Sequence, residues 1–209
     1  MFKENFKELY EKRRTIRKFL SDKIPDEDIK YMIDAARLAP SAENLQPWRF
    51  LAIRNRDFLL KMFKIIDNRI EEIFEKFPPN ATEYFKQFRF FLTLFKDAPL
   101  VIVIVGKKIE TAFPGERKNY NLPAGYCEKV DPIILSFGAS VENILLAATA
   151  LGYGSTWMTG PLQFHKDIDK FFNLKEGEFL ASFISIGKPY KEKLPPPKKS
   201  IDELLTFID

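Results

Sequence analysis

Four short stretches hold residues whose types and spacing suit ligand chemistry. The first is Arg13-Arg14-Thr15-Ile16-Arg17. Guanidinium forks donate paired hydrogen bonds to phosphate oxygens, and a threonine hydroxyl adds another donor. The cluster suits a phosphate or nucleotide phosphate; it also suits a solvated helix end, where arginine complements the negative pole of the dipole. The second stretch is Pro40-Ser41-Ala42-Glu43-Asn44-Leu45-Gln46. Ser41, Asn44 and Gln46 offer donors and acceptors within one turn, enough to read the edge of a heterocycle. Pro, Ser and Asn also stop helices and build turns for purely local reasons. The third, Gly152-Tyr153-Gly154-Ser155-Thr156-Trp157, is half of a glycine-rich dinucleotide fingerprint. Its context is wrong, because it leaves a helix, enters a strand, and has Trp157 where the third glycine belongs. Its glycines are expected to cap the helix and permit a tight strand entry. In the fourth, Pro195-Pro196-Pro197 precede Lys198-Lys199. Such a stiff arm can dock on a partner or carry two lysines to an anion.

Several other chemistries are excluded. The chain has one cysteine, Cys127, and one histidine, His165. A disulfide framework, a cysteine-ligated zinc or iron–sulfur centre and any two-histidine metal motif therefore fall away. No G-x-S-x-G elbow accompanies His165, and no Walker loop is present. A lone cysteine such as Cys127 is more often a small buried hydrophobe than a nucleophile. With 209 residues, 45% of them hydrophobic and 14% aromatic, the chain is expected to form one domain with a substantial core. Its 33 basic and 29 acidic residues leave a net charge of +4. The basic residues are dispersed, unlike the one-sided footprint of a nucleic-acid binder. The longest uninterrupted apolar strand-like run, Ala98–Val105, falls far short of the ~20 residues of a membrane span. Met1-Phe2-Lys3-Glu4-Asn5 is charged and lacks an apolar signal core. The reading is a cytoplasmic protein with no membrane segment, in which the sequon Asn80-Ala81-Thr82 is a chance match.

These stretches need elements to position them. Phe6, Leu9 and Tyr10 predict a helix over Phe2 to Arg13, ending at the arginine cluster. A second helix starts at Pro25, with Asp26, Glu27 and Asp28 complementing its dipole and Ile29, Met32, Ile33 and Ala36 on its buried face. It stops before Pro40. Trp48 to Ile53 reads as a strand. Asp57 to Phe95 reads as helix broken at Pro78-Pro79. Leu100 to Val105 is apolar and β-branched, the pattern of a central strand covered on both faces. Residues 107–132 read as an irregular lid or site loop, with Phe113, Tyr120 and Tyr126 as candidate aromatic walls. Phe137 to Leu151 has Glu142 as its sole charge and is apolar nearly all round, so it should be buried all round, as a central helix or half of a dimer core. Strands follow at Ser155–Met158 and Leu180–Ile186, then an extended tail and a short amphipathic end over Ile201–Phe207. Helices precede, interrupt and follow the strands, which predicts an α+β domain with one central sheet.

Taken in order, these segments resemble the nitroreductase family of FMN-dependent oxidoreductases. The matching text is Arg13-Arg14-Thr15-Ile16-Arg17-Lys18-Phe19, then Ala35-Ala36-Arg37-Leu38-Ala39-Pro40-Ser41-Ala42-Glu43-Asn44-Leu45-Gln46-Pro47-Trp48. Asp97-Ala98-Pro99, the run Gly138 to Ala148 leading to Leu151-Gly152-Tyr153-Gly154, and Ile186-Gly187-Lys188-Pro189 complete it. The likeness covers about Leu9 to Leu205. It implies a mixed, mainly antiparallel sheet flanked by helices in an intertwined homodimer. The arm from about residue 190 to 209 would reach the other subunit, and two FMN sites would lie at the interface. It implies NAD(P)H as co-substrate and a small-molecule electron acceptor. By the same resemblance Arg13 and Thr15, with Arg14 beside them and Lys198 or Lys199, bind the FMN phosphate. Arg17 lies near N1 and O2 of the flavin. Pro40, Ser41, Asn44 and Gln46 reach the flavin from the partner subunit, and Thr159 and Gly160 lie at N5. The chain departs from the larger bacterial members at Phe90–Phe95, where they carry polar flavin contacts. It also has Gly160 where the dehalogenase branch has a hydroxyl residue, with Thr159 one place earlier.

Overall fold

The computed structural model describes residues 2–78, 82–107 and 132–208. The loop aromatics Phe113, Tyr120 and Tyr126, together with Cys127 and Asn80, lie outside the described residues.

Strand β2 (Leu100–Lys107) forms because its β-branched side chains suit a pleat buried on both faces. Leu100, Ile102 and Ile104 point into one core, and Val101, Val103 and Val105 into another. β2 pairs with β1 (Trp48–Ile53) and β4 (Glu178–Gly187), and β4 pairs with β3 (Gly154–Met158). The order is β1-β2-β4-β3, with every ladder antiparallel. Among the described residues the four strands pair antiparallel, and one isolated parallel bridge joins Thr15 to Ser155.

Helices cover both faces. On one lie α2 (Asp26–Arg37) and α5 (Pro132–Ala150), through Met32, Ala36, Val141, Ile144 and Ala148. On the other lie α3 (Arg56–Phe74), α4 (Thr82–Thr93), a 3-10 turn over Leu94–Asp97 and α6 (His165–Phe172), through Leu59, Met62, Ile66, Phe95 and Ile168. Helix α1 (Phe2–Lys12) packs against α5.

Three expectations need correction. Helix α5 starts at Pro132, not Phe137, because proline fits a first turn whose N–H would be unsatisfied anyway. It thereby reaches 19 residues, long and apolar enough by composition to cross a bilayer, yet half of that span is buried against the domain. Nor is it buried all round: within Phe137–Leu151, Leu146 and Leu151 are half-buried and Ala150 is exposed, and nearer the helix start Ile134 and Leu135 are 51% and 62% exposed. Finally, Ile201–Phe207 forms no regular element beyond a turn in which Leu204 and Leu205 donate to the Ile201 carbonyl.

Candidate functional site

The arginine cluster leaves α1 and runs along the outer edge of β3. The Ile16 N–H donates to the Ser155 carbonyl at 2.9 Å, and the Thr156 hydroxyl donates to the Ile16 carbonyl. Further along, Leu20 donates to Lys188 at 2.9 Å and Tyr190 to Lys18 at 3.0 Å. Sequence explains this close approach. A Cβ on Gly154 would sit 2.5 Å from Cγ1 and 2.7 Å from Cβ of Ile16, so only glycine admits the strip. Gly152, at φ +81°, ends α5 in a Schellman motif. Tyr153 donates to the Ala148 carbonyl at 2.8 Å and Gly152 to that of Thr149 at 3.0 Å. These are the cap and strand-entry roles expected of the pair.

Ile16 is buried and anchors the strip, while its basic neighbours are half-buried. Arg13 Nε lies 3.7 Å from Glu142, the single charge of α5. Arg14 Nη1 donates to the Arg13 carbonyl at 2.7 Å and faces a cleft of about 400 Å³ with Thr149, Tyr153 and Lys193. Arg17 holds its guanidinium 5.3 Å above the Phe91 ring and has no carboxylate partner among the described residues. Arg13, Arg14, Thr15 and Arg17 thus share one edge, but Arg14 and Arg17 open into different clefts.

The 40–46 turn is built under strain. Glu43, Asn44 and Gln46 have φ of 52°, 53° and 45°, a region that non-glycine residues seldom enter. The Ser41 hydroxyl accepts the Gln46 N–H at 3.0 Å, and Ser41 O accepts the Asn44 N–H at 3.0 Å. Ala42 N–H donates to Ser136 Oγ at 3.1 Å, which fixes the turn to α5. Pro40, Asn44 and Gln46 are exposed. Within one chain this turn shares no described cleft with the arginine strip.

Thr159 is exposed and precedes the 3-10 turn Gly160–Phe164, where its side chain caps no N–H. Gly160 backs directly onto α4: a Cβ there would lie 2.9 Å from Leu92 Cδ2 and 3.5 Å from the Phe91 carbonyl. Arg17 and Gly160 therefore rest on the same pair, Phe91 and Leu92, which sequence reading did not place in the site. The signal lay in the phenylalanine run itself, but the contact joins segments some 70 residues apart. Lys198 and Lys199 are exposed on the arm, whose Leu194, Ile201, Phe207 and Ile208 are also solvent-facing.

Two titrating groups sit apart from the strip. Burial, reinforced by a 2.6 Å hydrogen bond to Asp28, pushes the Tyr153 phenol up to about 12. Burial also raises the Asp169 carboxyl against the weaker pull of His165, and Asp169 Oδ1 has no hydrogen-bond partner among the described residues. No cluster of metal-ligating side chains occurs among the described residues.

An antiparallel sheet between two helical layers, with a cationic strip along its edge strand, defines an α+β protein. The chain belongs to the nitroreductase family, whose pattern matches residues 10–188, and is thereby an oxidoreductase. It is 31% identical over 183 residues to an Archaeoglobus fulgidus protein provisionally named NADH dehydrogenase/NAD(P)H nitroreductase, covering 87% of this chain and 83% of that one. It is 26% identical over 196 residues to the iodotyrosine deiodinase of Thermotoga neapolitana, covering 93% and 94%. The crystal structure of a BluB-like flavoprotein from Clostridium difficile 630 superposes with a TM-score of 0.87 at 30% identity, over 98% of this chain and 99% of that one. A Desulfitobacterium hafniense nitroreductase with bound FMN shares the fold, with a TM-score of 0.68 at 19% identity over 97% of both chains.

Proposed function

We propose that the protein is an FMN-dependent oxidoreductase. It takes reducing equivalents from NAD(P)H and delivers them to a nitroaromatic, a quinone or a similar small acceptor. The residues present fit the cofactor. Arg13, Arg14 and Thr15 give one extended edge the donor set of a phosphate monoester. Arg17 is a cation with no carboxylate to neutralise it among the described residues. Gly160, half-buried, lets its turn close directly onto Leu92. When bound, FMN supplies two-electron transfer at N5.

The side chains then take distinct roles. Arg13 and Thr15 hold the phosphate, with Arg14 beside them and Lys198 or Lys199 completing the site. Arg17 stabilises the negative charge that reduction places on the N1–O2 edge, and its seat on Phe91 fixes it before that charge develops. Thr159 and Gly160 border N5. Pro40, Ser41, Asn44 and Gln46 act from a second copy of the chain, a placement consistent with their absence from the clefts described at the strip. A homodimer also covers Ile134, Leu135 and the apolar arm, all exposed in the single chain. Reductant and acceptor use one site in turn, a ping-pong order that asks no nucleophile of the protein.

The observation that carries this reading is Arg17, with no carboxylate partner among the described residues, seated on Phe91 of the same helix α4 onto which Gly160 backs. Its test is the visible spectrum of freshly purified protein, followed by NADH or NADPH under argon. Yellow protein that bleaches is expected; colourless protein that refuses added FMN refutes the reading. The near full-length match to a deiodinase and the BluB-like neighbour favour a second reading, a reductive dehalogenase or flavin-modifying enzyme on the same fold. Flavin that NAD(P)H alone reduces slowly selects that alternative. Bound FMN with no turnover of any acceptor selects a non-catalytic flavin protein.

A further inference from the structure

The cleft into which Arg17 opens, about 300 Å³, lies against α4 and the turn that follows it. Its charged walls are Arg17, Lys86, Arg89, Lys96 and Asp97. Most of these charges are already matched. Asp97 lies 3.2 Å from Arg56, and Arg89 is held by Asp67 and by Glu71 at 3.3 Å. Lys86 has a carboxylate, Glu83, at 2.7 Å, but that glutamate is 81% exposed and its attraction is weakened by water. Lys96 has none among the described residues; its ammonium rests 4.3 Å from the centre of the Phe63 ring. That cation–π contact holds the ammonium in one place, which lowers the entropy lost when an anion binds there. The remaining wall is aromatic: Phe90 lines the cleft, and its ring packs edge-on against the half-exposed Phe91 at 5.5 Å.

We infer that this cleft is the acceptor's seat and that the acceptor is an aromatic acid, its ring on Phe90 and Phe91 and its anionic group on Lys96 and Lys86. The inference rests on the flavin reading above. With Arg17 committed to the flavin edge, Lys96 and Lys86 are the cations left to face a second ligand. Helix α4, rather than the 107–132 loop alone, then sets acceptor preference.

The test uses purified wild-type, Lys96→Gln and Lys86→Gln protein with two matched probes, 4-nitrobenzoate and the uncharged 4-nitrobenzyl alcohol. The first readout is the ratio of kcat/KM for the acid to that for the alcohol, which cancels differences in flavin loading. The second is the Kd of 4-nitrobenzoate for oxidised protein by titration calorimetry. An exposed ion pair predicts that each substitution lowers the ratio and weakens binding by about threefold to fivefold, less at high salt. An unchanged ratio and Kd in both variants, with flavin present and bleached by NAD(P)H, overturns the anion reading alone. Protein that takes up no FMN overturns the flavin reading and this one with it.

Discussion

Replacing Gly154 by alanine tests whether the arginine strip depends on its seat along β3. The added Cβ falls 2.5 Å from Ile16 Cγ1 and 2.7 Å from Ile16 Cβ. Rotating the Ile16 side chain relieves the first contact but not the second, so the backbone must move. If the strip stays, the overpacking costs about 1–3 kcal/mol. If it lifts, the Ile16–Ser155 and Thr156–Ile16 hydrogen bonds are lost, at about 1 kcal/mol each. Either route destabilises the fold by about 2 kcal/mol, a fall in Tm of roughly 4–8 °C for a chain of this size. Arg13, Thr15 and Arg17 ride on the same strip, so FMN affinity should fall about tenfold or more, the worth of one charge-assisted hydrogen bond. Thermal unfolding by circular dichroism and FMN titration by fluorescence quenching read the two effects. A variant with unchanged Tm and unchanged FMN affinity would refute the account of how the strip is held.

Arg13→Ala should weaken FMN binding by about 10- to 100-fold while leaving the fold intact, since its side chain's partner among the described residues, Glu142, is a half-exposed ion pair; equal flavin occupancy after purification counts against the phosphate role. Asp169→Asn should change the pH dependence of stability. Burial raises the folded-state carboxyl above its ordinary value of 3.8, so the stability this group contributes is present at acid pH and is lost as pH rises through the raised value. The neutral asparagine should therefore gain on wild type from about pH 4 upward and match it in stronger acid, as read by urea midpoints across that range; a pH-independent difference sinks the assignment. Deleting residues 194–208 should convert a dimer to monomer by sedimentation and release FMN, and an unaltered dimer would show that the exposed arm is not what joins the copies.

Much of the scaffold was legible because burial writes a plain pattern. The unbroken β-branched run of β2 requires cover on both faces, and its alternate residues do divide between two cores. The α5 cap was legible because only glycine tolerates φ +81° freely at Gly152. Helix α6 went unseen: at eight residues it is too short for its Phe164, Ile168, Phe171 stripe to stand out after a Gly-Pro turn. In the site, the basic residues were named from their chemistry, but their neighbours were not. Phe91 under Arg17, Glu142 beside Arg13 and Leu92 behind Gly160 are tertiary contacts, and local periodicity carries no record of which distant segment a side chain meets.

The edge strip also has a consequence for the order of events in the cell. Ile16 waits for Thr156, 140 residues later, and Lys18 and Leu20 wait for Tyr190 and Lys188. Synthesis delivers the strip some 140 to 170 residues before the residues it bonds to. Contacts of such long sequence separation form late, because the loop-closure entropy must be overcome before they contribute. The nascent chain therefore carries its basic segment undocked until β3 and β4 have been made. Any ligand of that segment must wait for β3 and β4.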